Sequence, residues 1–195
     1  MELTATKETI TNKSAIKIKK RDGRLEDLDI DKIHFVVEEA CEGLAGVSSS
    51  QIEINANIQF YDGMTTKEVQ QILVRSANDL ISLEAPNYQY AAARLLSYDV
   101  RKEAHGQYEY MPLLKLILRN IKAGVYDRNI VEKYNKSEIK RLNTWIKRDR
   151  DLDFTYAGLR QVVDKYLVQD RSSGDLFETP QDMYMMIAAT LFADY

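Results

Sequence analysis

Apolar residues return at helical spacing in one stretch after another of this 195-residue chain, and only three prolines and eight glycines interrupt them. A chain patterned this way has to bury one face of each helix against a neighbour, which predicts a mostly α fold. Capping residues cut the first half into four helices. Asp29 caps the first, with Ile33, Val36, Val37, Ala40, Cys41 and Leu44 on one face, and Gly43 and Gly46 end it. Ser48, Ser49 and Ser50 offer caps for a second helix through Ile52 and Ile58, which Tyr61-Asp62-Gly63 breaks. Thr65 and Glu68 predict a capping box for the third, with Val69, Ile72, Leu73, Ala77 and Leu80 facing inward. Pro86 opens the approach to the fourth, which runs through Tyr88, Ala91, Ala92, Leu95 and Leu96 to about Ala104 and is closed by Gly106.

One stretch breaks the helical pattern. Ile16 to Lys20 and Arg24 to Leu28 flank Asp22-Gly23, and two short runs around Asp-Gly predict a β-hairpin because its turn needs positive φ. The fold class is therefore α+β: a loose polar arm over residues 1–14, then a hairpin plus four helices over 15–106. A second, helical part spans 107–195, with helical patterns at 113–123, 129–134, 136–148 and 155–167. Within it, Tyr166-Leu167-Val168 and Leu176-Phe177-Glu178 flank Arg171-Ser172-Ser173-Gly174 and predict a second short hairpin. Thr179-Pro180 starts a last helix with cap and first-turn proline in their favoured places. Met183, Met185, Met186, Ile187, Leu191 and Phe192 leave that helix almost no polar face. It is expected to be buried on all sides, either by the preceding helices or, as the favoured reading, by polypeptide beyond Tyr195.

Composition limits the function classes. The apolar fraction of 45% and charged fraction of 29% are those of a globular chain, and a net charge of −3 gives no general pull toward nucleic acid or membrane. No run of about 20 apolar residues predicts a membrane span. Met1 to Ser14 lacks the apolar core of a signal peptide, so cytoplasmic residence is expected. Cys41 is the only cysteine, which leaves no intrachain disulfide and no cysteine zinc site. Its place on an apolar stripe predicts a buried structural thiol.

Lys17, Lys19, Lys20, Arg21 and Arg24 crowd positive charge around the first hairpin, where several could grip one polyanion. Lysines protecting an exposed strand edge give the same pattern. Lys32 falls in the first turn of a helix, where the dipole disfavours a cation, which points to another role for it. The same helix end would welcome phosphate. Arg101 and Lys102, near the end of the fourth helix, suit either dipole pairing or an anion. Thr66 suits either a capping turn or a phosphate. Catalytic and metal constellations are not evident: His34 and His105 read as surface or packing residues, Asp149 and Asp151 as solvated charge at a helix end, and there is no glycine-rich phosphate loop. A bound nucleotide would be sensed rather than hydrolysed.

These residues carry a resemblance. Ile18-Lys19-Lys20-Arg21-Asp22-Gly23, Glu26 and Asp31-Lys32-Ile33-His34 resemble the start of an ATP-cone, the allosteric activity domain of ribonucleotide reductases. The likeness continues through Ile58-Gln59-Phe60-Tyr61-Asp62-Gly63, Ala85-Pro86-Asn87-Tyr88-Gln89-Tyr90 and His105-Gly106-Gln107-Tyr108-Glu109. Arg148-Asp149-Arg150-Asp151 and Lys165-Tyr166-Leu167-Val168-Gln169 resemble the helical opening of the catalytic domain that follows. The chain is similar to the N-terminal part of a class I large subunit.

The resemblance implies a share in deoxyribonucleotide synthesis by an oxidoreductase. The large subunit reduces ribonucleoside diphosphates through a cysteine radical that a separate small subunit supplies, within an oligomeric assembly. The cone would bind ATP, which permits activity, or dATP, which commonly stops it, with Mg2+. By position, Lys20 and Arg21 would meet the phosphates. Glu26, Asp27, Leu28, Asp29, Ile30, Asp31 and Lys32 would wrap base and ribose. Ile33 and Phe60 would line the apolar side, and Thr66 and Lys102 would complete the phosphate grip. Gln70 and Asp99 depart from the histidines often found in dATP-inhibited members, a pattern compatible with binding and weakened inhibition. The radical and redox cysteines of the family would fall beyond residue 195, so this chain alone is not expected to reduce ribonucleotides. Two alternatives remain open: a degenerate cone that only docks subunits, and a DNA-binding repressor with a cone, which needs a cysteine zinc ribbon that one cysteine cannot provide.

Overall fold

Residues 16–20 and 22–193 are described by the structure, a computed structural model; Arg21 and the expected polar arm over 1–14 lie outside them. Lys17–Lys19 (β1) and Leu25–Asp27 (β2) pair antiparallel, with Ile18 opposite Glu26. The turn closes as Asp-Gly chemistry demands: Gly23 sits at φ 86°, and the Asp22 carboxylate accepts from the Arg24 backbone N–H at 3.1 Å and its Nε at 2.7 Å. A third strand, Met64–Thr65 (β3), was not evident in the sequence pattern. It runs parallel to β1, with Ile18 opposite Met64 and Lys19 opposite Thr65, giving the order β2-β1-β3. The Tyr61-Asp62-Gly63 break puts it there. Asp62 Oδ1 accepts from the Lys17 N–H at 2.8 Å, and Gly63, at φ 84°, donates its N–H to the Lys17 carbonyl at 2.8 Å.

Ile30–Cys41 (α1), Ser49–Asn57 (α2), Thr66–Asn78 (α3) and Tyr88–His105 (α4) follow their expected caps. Val37 and Ala40 of α1, Ile52 and Ala56 of α2, Leu73 and Ala77 of α3, and Ala91, Ala92 and Leu95 of α4 share a core with Ile18 and Met64. The alanines let α4 lie close against its neighbours, where each buried methylene is worth about 0.8 kcal/mol. Arg94 of α4 ties off the end of α1, its Nη1 donating to the carbonyls of Glu42 at 2.6 Å and Ala40 at 3.3 Å.

Beyond Gly106 come Leu113–Lys122 (α5), Asn129–Lys133 (α6), Lys136–Trp145 (α7), a 3-10 turn at Arg148–Leu152, Tyr156–Lys165 (α8) and Pro180–Leu191 (α9). Leu159, Val163, Leu167, Leu176 and Met183 join the first core, and Met111, Leu113, Leu116, Ile117, Ile130, Ile139 and Ala189 form a second. The second hairpin is reduced to one bridge, Gln169 with Leu176. Two backbone bonds flank that bridge, Phe177 N–H to the Val168 carbonyl at 3.0 Å and Asp170 N–H to the Asp175 carbonyl at 2.9 Å. Side chains take the groups that would complete the next pair: Glu178 accepts from the Val168 N–H at 2.9 Å, and Arg119 and Asn120 donate to the Phe177 carbonyl. The outward-facing Leu176 N–H donates to Glu103 at 3.1 Å.

One expectation, that for Asp151, is corrected here, and those for α9 and His105 are narrowed to one of their alternatives. α9 is not enclosed by the described residues: Tyr184, Ile187 and Leu191 are exposed while Met183 and Ala189 are buried. Asp151 is not solvated but fully buried, and that burial pushes its carboxyl up to about 7. His105 is a packing residue rather than a surface one: its Nδ1 accepts from the Met111 N–H at 3.1 Å and its Nε2 lies 3.1 Å from Asp182, which Arg148 also pairs at 2.5 Å.

The capping box of α3 is complete. Glu68 Oε2 accepts from the Thr65 N–H at 2.6 Å and hydroxyl at 2.7 Å, while Tyr61 donates its hydroxyl to Oε1 at 2.7 Å. The Thr65 and Tyr61 bonds hold the Glu68 carboxyl at about 2, below the ordinary 4.5. These bonds therefore favour the folded chain fully above pH about 4.5 and are lost as pH falls toward about 2. Urea midpoints are expected to be lower for Glu68→Gln than for the wild type near neutral pH, and the gap should close on acidification through that window.

Candidate functional site

The parallel register of β1 and β3 has a direct consequence for the side chains that follow each strand. Lys19 faces Thr65, so the next residues, Lys20 and Thr66, leave the sheet side by side. Thr66 is the first residue of α3, where unpaired backbone N–H groups and the helix dipole favour an anion. The end of α4 brings Lys102 to the same place, and the first turn of α1 brings Lys32. Between them opens a cleft of about 680 Å3, within the roughly 300–1,000 Å3 range of ligand pockets.

Ile18, Leu28, Ile33, Val36, Val69 and Leu73 give the cleft an apolar floor, and Lys20, Lys32, Thr66 and Lys102 give it a basic, polar rim that also carries Asp29 and Asp31. The lysines are already paired. Lys20 lies 3.2 Å from Glu26, and Lys32 Nζ lies 2.8 Å from Asp29. Asp29 also caps α1, accepting from the Lys32 N–H at 3.1 Å. This pairing explains a cation in the first turn: the Lys32 hydrogen bonds hold the Asp29 carboxyl below the usual carboxylate range, and Asp29 in turn raises the Lys32 ammonium.

Of the residues expected at a site, Lys20, Leu28, Asp29, Asp31, Lys32, Ile33, Thr66 and Lys102 line this cleft. Glu26, Asp27, Ile30 and Phe60 do not. Glu26 stands behind Lys20, Asp27 pairs with Lys17, Ile30 is exposed, and Phe60 packs against the first core. Arg21 lies outside the described residues. Ile18, Phe35, Val36, Val69, Leu73 and Tyr108 line it unforeseen. Val69 and Leu73 were legible in principle, since they share the helical face of Thr66. Tyr108 carries no such signal; it is held by a 2.5 Å hydrogen bond to Glu39 and by the Arg101 guanidinium 4.1 Å from its ring centre. Gln70 lines the cleft with its amide donating to the Leu95 carbonyl at 2.8 Å, whereas Asp99 is not part of the lining. Among the described residues no group of three or more His, Cys, Asp or Glu side chains is disposed to hold a metal, and no helix is long and apolar enough to cross a membrane.

With this geometry in place, likenesses to known proteins gain a location. Residues 16–103 match the ATP cone domain, and residues 152–195 match the ribonucleotide reductase all-alpha domain. The first match contains every residue of the cleft lining except Tyr108. Ribonucleoside-diphosphate reductase 1 subunit alpha of Escherichia coli (strain K12) is 44% identical over 178 residues, 91% of this chain and 23% of that protein. The corresponding subunit of Haemophilus influenzae is 39% identical over 184 residues (94% and 24%), and that of Enterobacteria phage T4 is 40% identical over 181 residues (92% and 24%). The chain thus spans about a quarter of the length of these relatives.

Cys41 stands apart from the cleft lining. It is half-buried beside the first core, and burial pushes its thiol up to about 11. Alkylation by iodoacetamide should therefore be slow near neutral pH and accelerate only as pH approaches about 11. Mass spectrometry of timed samples measures this, and rapid labelling near neutral pH would contradict it.

Proposed function

We propose that this chain, which belongs to the ribonucleotide reductase alpha subunits and carries their ATP cone domain, uses the cleft to bind ATP or dATP as an allosteric effector. The observation that carries the reading is the convergence of Lys20, Lys32, Lys102 and Thr66 around an apolar floor within the stretch that matches the ATP cone domain. Lys20, Lys102 and Thr66, with Arg21, meet the phosphates, and the N-terminus of α3 adds its dipole. Leu28, Asp29, Asp31 and Lys32 wrap the ribose and base, and Ile33 with the apolar floor receives the base face. Glu26 acts through Lys20, which it holds in place, and Asp27, Ile30 and Phe60 shape the strand and loop behind the lining. Mg2+ would enter mainly on the phosphates, as it commonly does at nucleotide sites.

The pre-paired lysines give the binding a particular character. A triphosphate competes with Glu26 for Lys20, so the gain on binding is the difference between two ion pairs. Asp99 is not part of the lining. Gln70 contributes a neutral amide already engaged with the backbone of α4. In the wider protein, the cleft would regulate reduction of ribonucleoside diphosphates, a reaction belonging to the rest of a large subunit with its radical-generating small subunit, in an oligomeric assembly.

Calorimetric titration with Mg-ATP and Mg-dATP tests the reading. Loss of one charge-assisted contact costs roughly 1.5–3 kcal/mol, so Lys20→Ala is expected to weaken binding by about tenfold or more. Raising the salt concentration should weaken binding by the wild type as well. A folded wild-type chain that binds neither nucleotide, or a Lys20→Ala chain that binds as well as wild type, would falsify the assignment.

A further inference from the structure

Two residues on the rim of the cleft are each followed in the chain by a residue that points elsewhere. Thr66 is followed by Lys67 and Lys102 by Glu103, and these two pair at 3.0 Å across α3 and α4. The Glu103 side chain is only 12% exposed, so this is not an ordinary solvated surface pair. Its other oxygen accepts from the Leu176 N–H at 3.1 Å. Leu176 belongs to the segment after α8, and its side chain is buried in the first core. The same carboxylate thus joins the two helix ends that rim the cleft to a segment far along the chain.

We propose that Glu103 is the link through which occupancy of the cleft is felt by residues 168–178. This rests on the nucleotide reading of the cleft. Phosphates held jointly by Thr66 and Lys102 clamp the start of α3 to the end of α4. The clamp holds Lys67 against Glu103, and the neutralised, immobilised carboxylate stays on the Leu176 amide. The neighbouring Phe177 carbonyl is fixed independently by Arg119 Nη2 at 2.9 Å and Asn120 Nδ2 at 2.9 Å, so the Leu176 amide is the point of the segment that answers to the cleft. Lys67 and Glu103 lie outside the cleft lining, which lets the link be cut while the binding groups stay in place.

Amide hydrogen exchange read by NMR on the whole chain, beside calorimetry on the same samples, tests this. Mg-ATP should slow exchange at Leu176 by about threefold or more in the wild type. Lys67→Gln should bind Mg-ATP with wild-type affinity and lose that slowing. Glu103→Ala should also bind it, with Leu176 exchanging fast in both states. Binding by the wild type without any change at Leu176 overturns the link alone, as does slowing that survives in Lys67→Gln or protection that survives in Glu103→Ala. Absence of Mg-ATP binding by the wild type overturns the nucleotide reading and the link with it.

Discussion

The short parallel ladder between Ile18-Lys19 and Met64-Thr65 is the constraint on which the rest of the structure depends. Two residue pairs hold little energy by themselves. Their register, however, decides what stands beside what. It brings the start of α3 against the end of β1, and α3 in turn sets α4 by packing its apolar face on a run of alanines. The Asp62 carboxylate and the Gly63 N–H, both bonded to Lys17, lock that register from the side of the turn. A slip by one residue would move Lys20 away from Thr66 and turn Ile18 out of the core.

The electrostatics of the cleft follow from this placement rather than from net charge, which is slightly negative for the whole chain. Cations collect where β1, α1 and α4 end or begin, and each of Lys20 and Lys32 is held by a carboxylate of the hairpin or the helix cap. Such pairing keeps long flexible side chains near their working positions. It also keeps like charges from repelling one another across the cleft before an anion arrives.

Much of this was legible in the sequence. The Asp22-Gly23 turn, the Thr65–Glu68 capping box, the Asp29 cap and the Thr179-Pro180 start each rest on local chemistry that few other conformations satisfy. Most of the lining came from the same local reading joined to a family resemblance. What escaped was non-local. β3 is too short to show a period of two. Tyr108 reaches the cleft only because α4 ends where it does. Asp151 sits in a run of charges, and nothing in that run marks it as the one that packs inward. The second hairpin has the right turn residues, but Glu178 takes the Val168 N–H and the distant Arg119 and Asn120 take the Phe177 carbonyl, the groups its next pair needed.

α8 lies along α4, and Leu159 and Val163 enter the same core as Ile18 and Met64. That packing bears on how such a unit could be inherited or transplanted. Gly106 is a natural place for the chain to turn, but it is not a clean seam. A version severed there would keep its hairpin and four helices and leave a greasy flank of α4 facing water. Recombination that shuffles this unit between proteins would therefore succeed most readily where the recipient brings its own helix to lie in that groove.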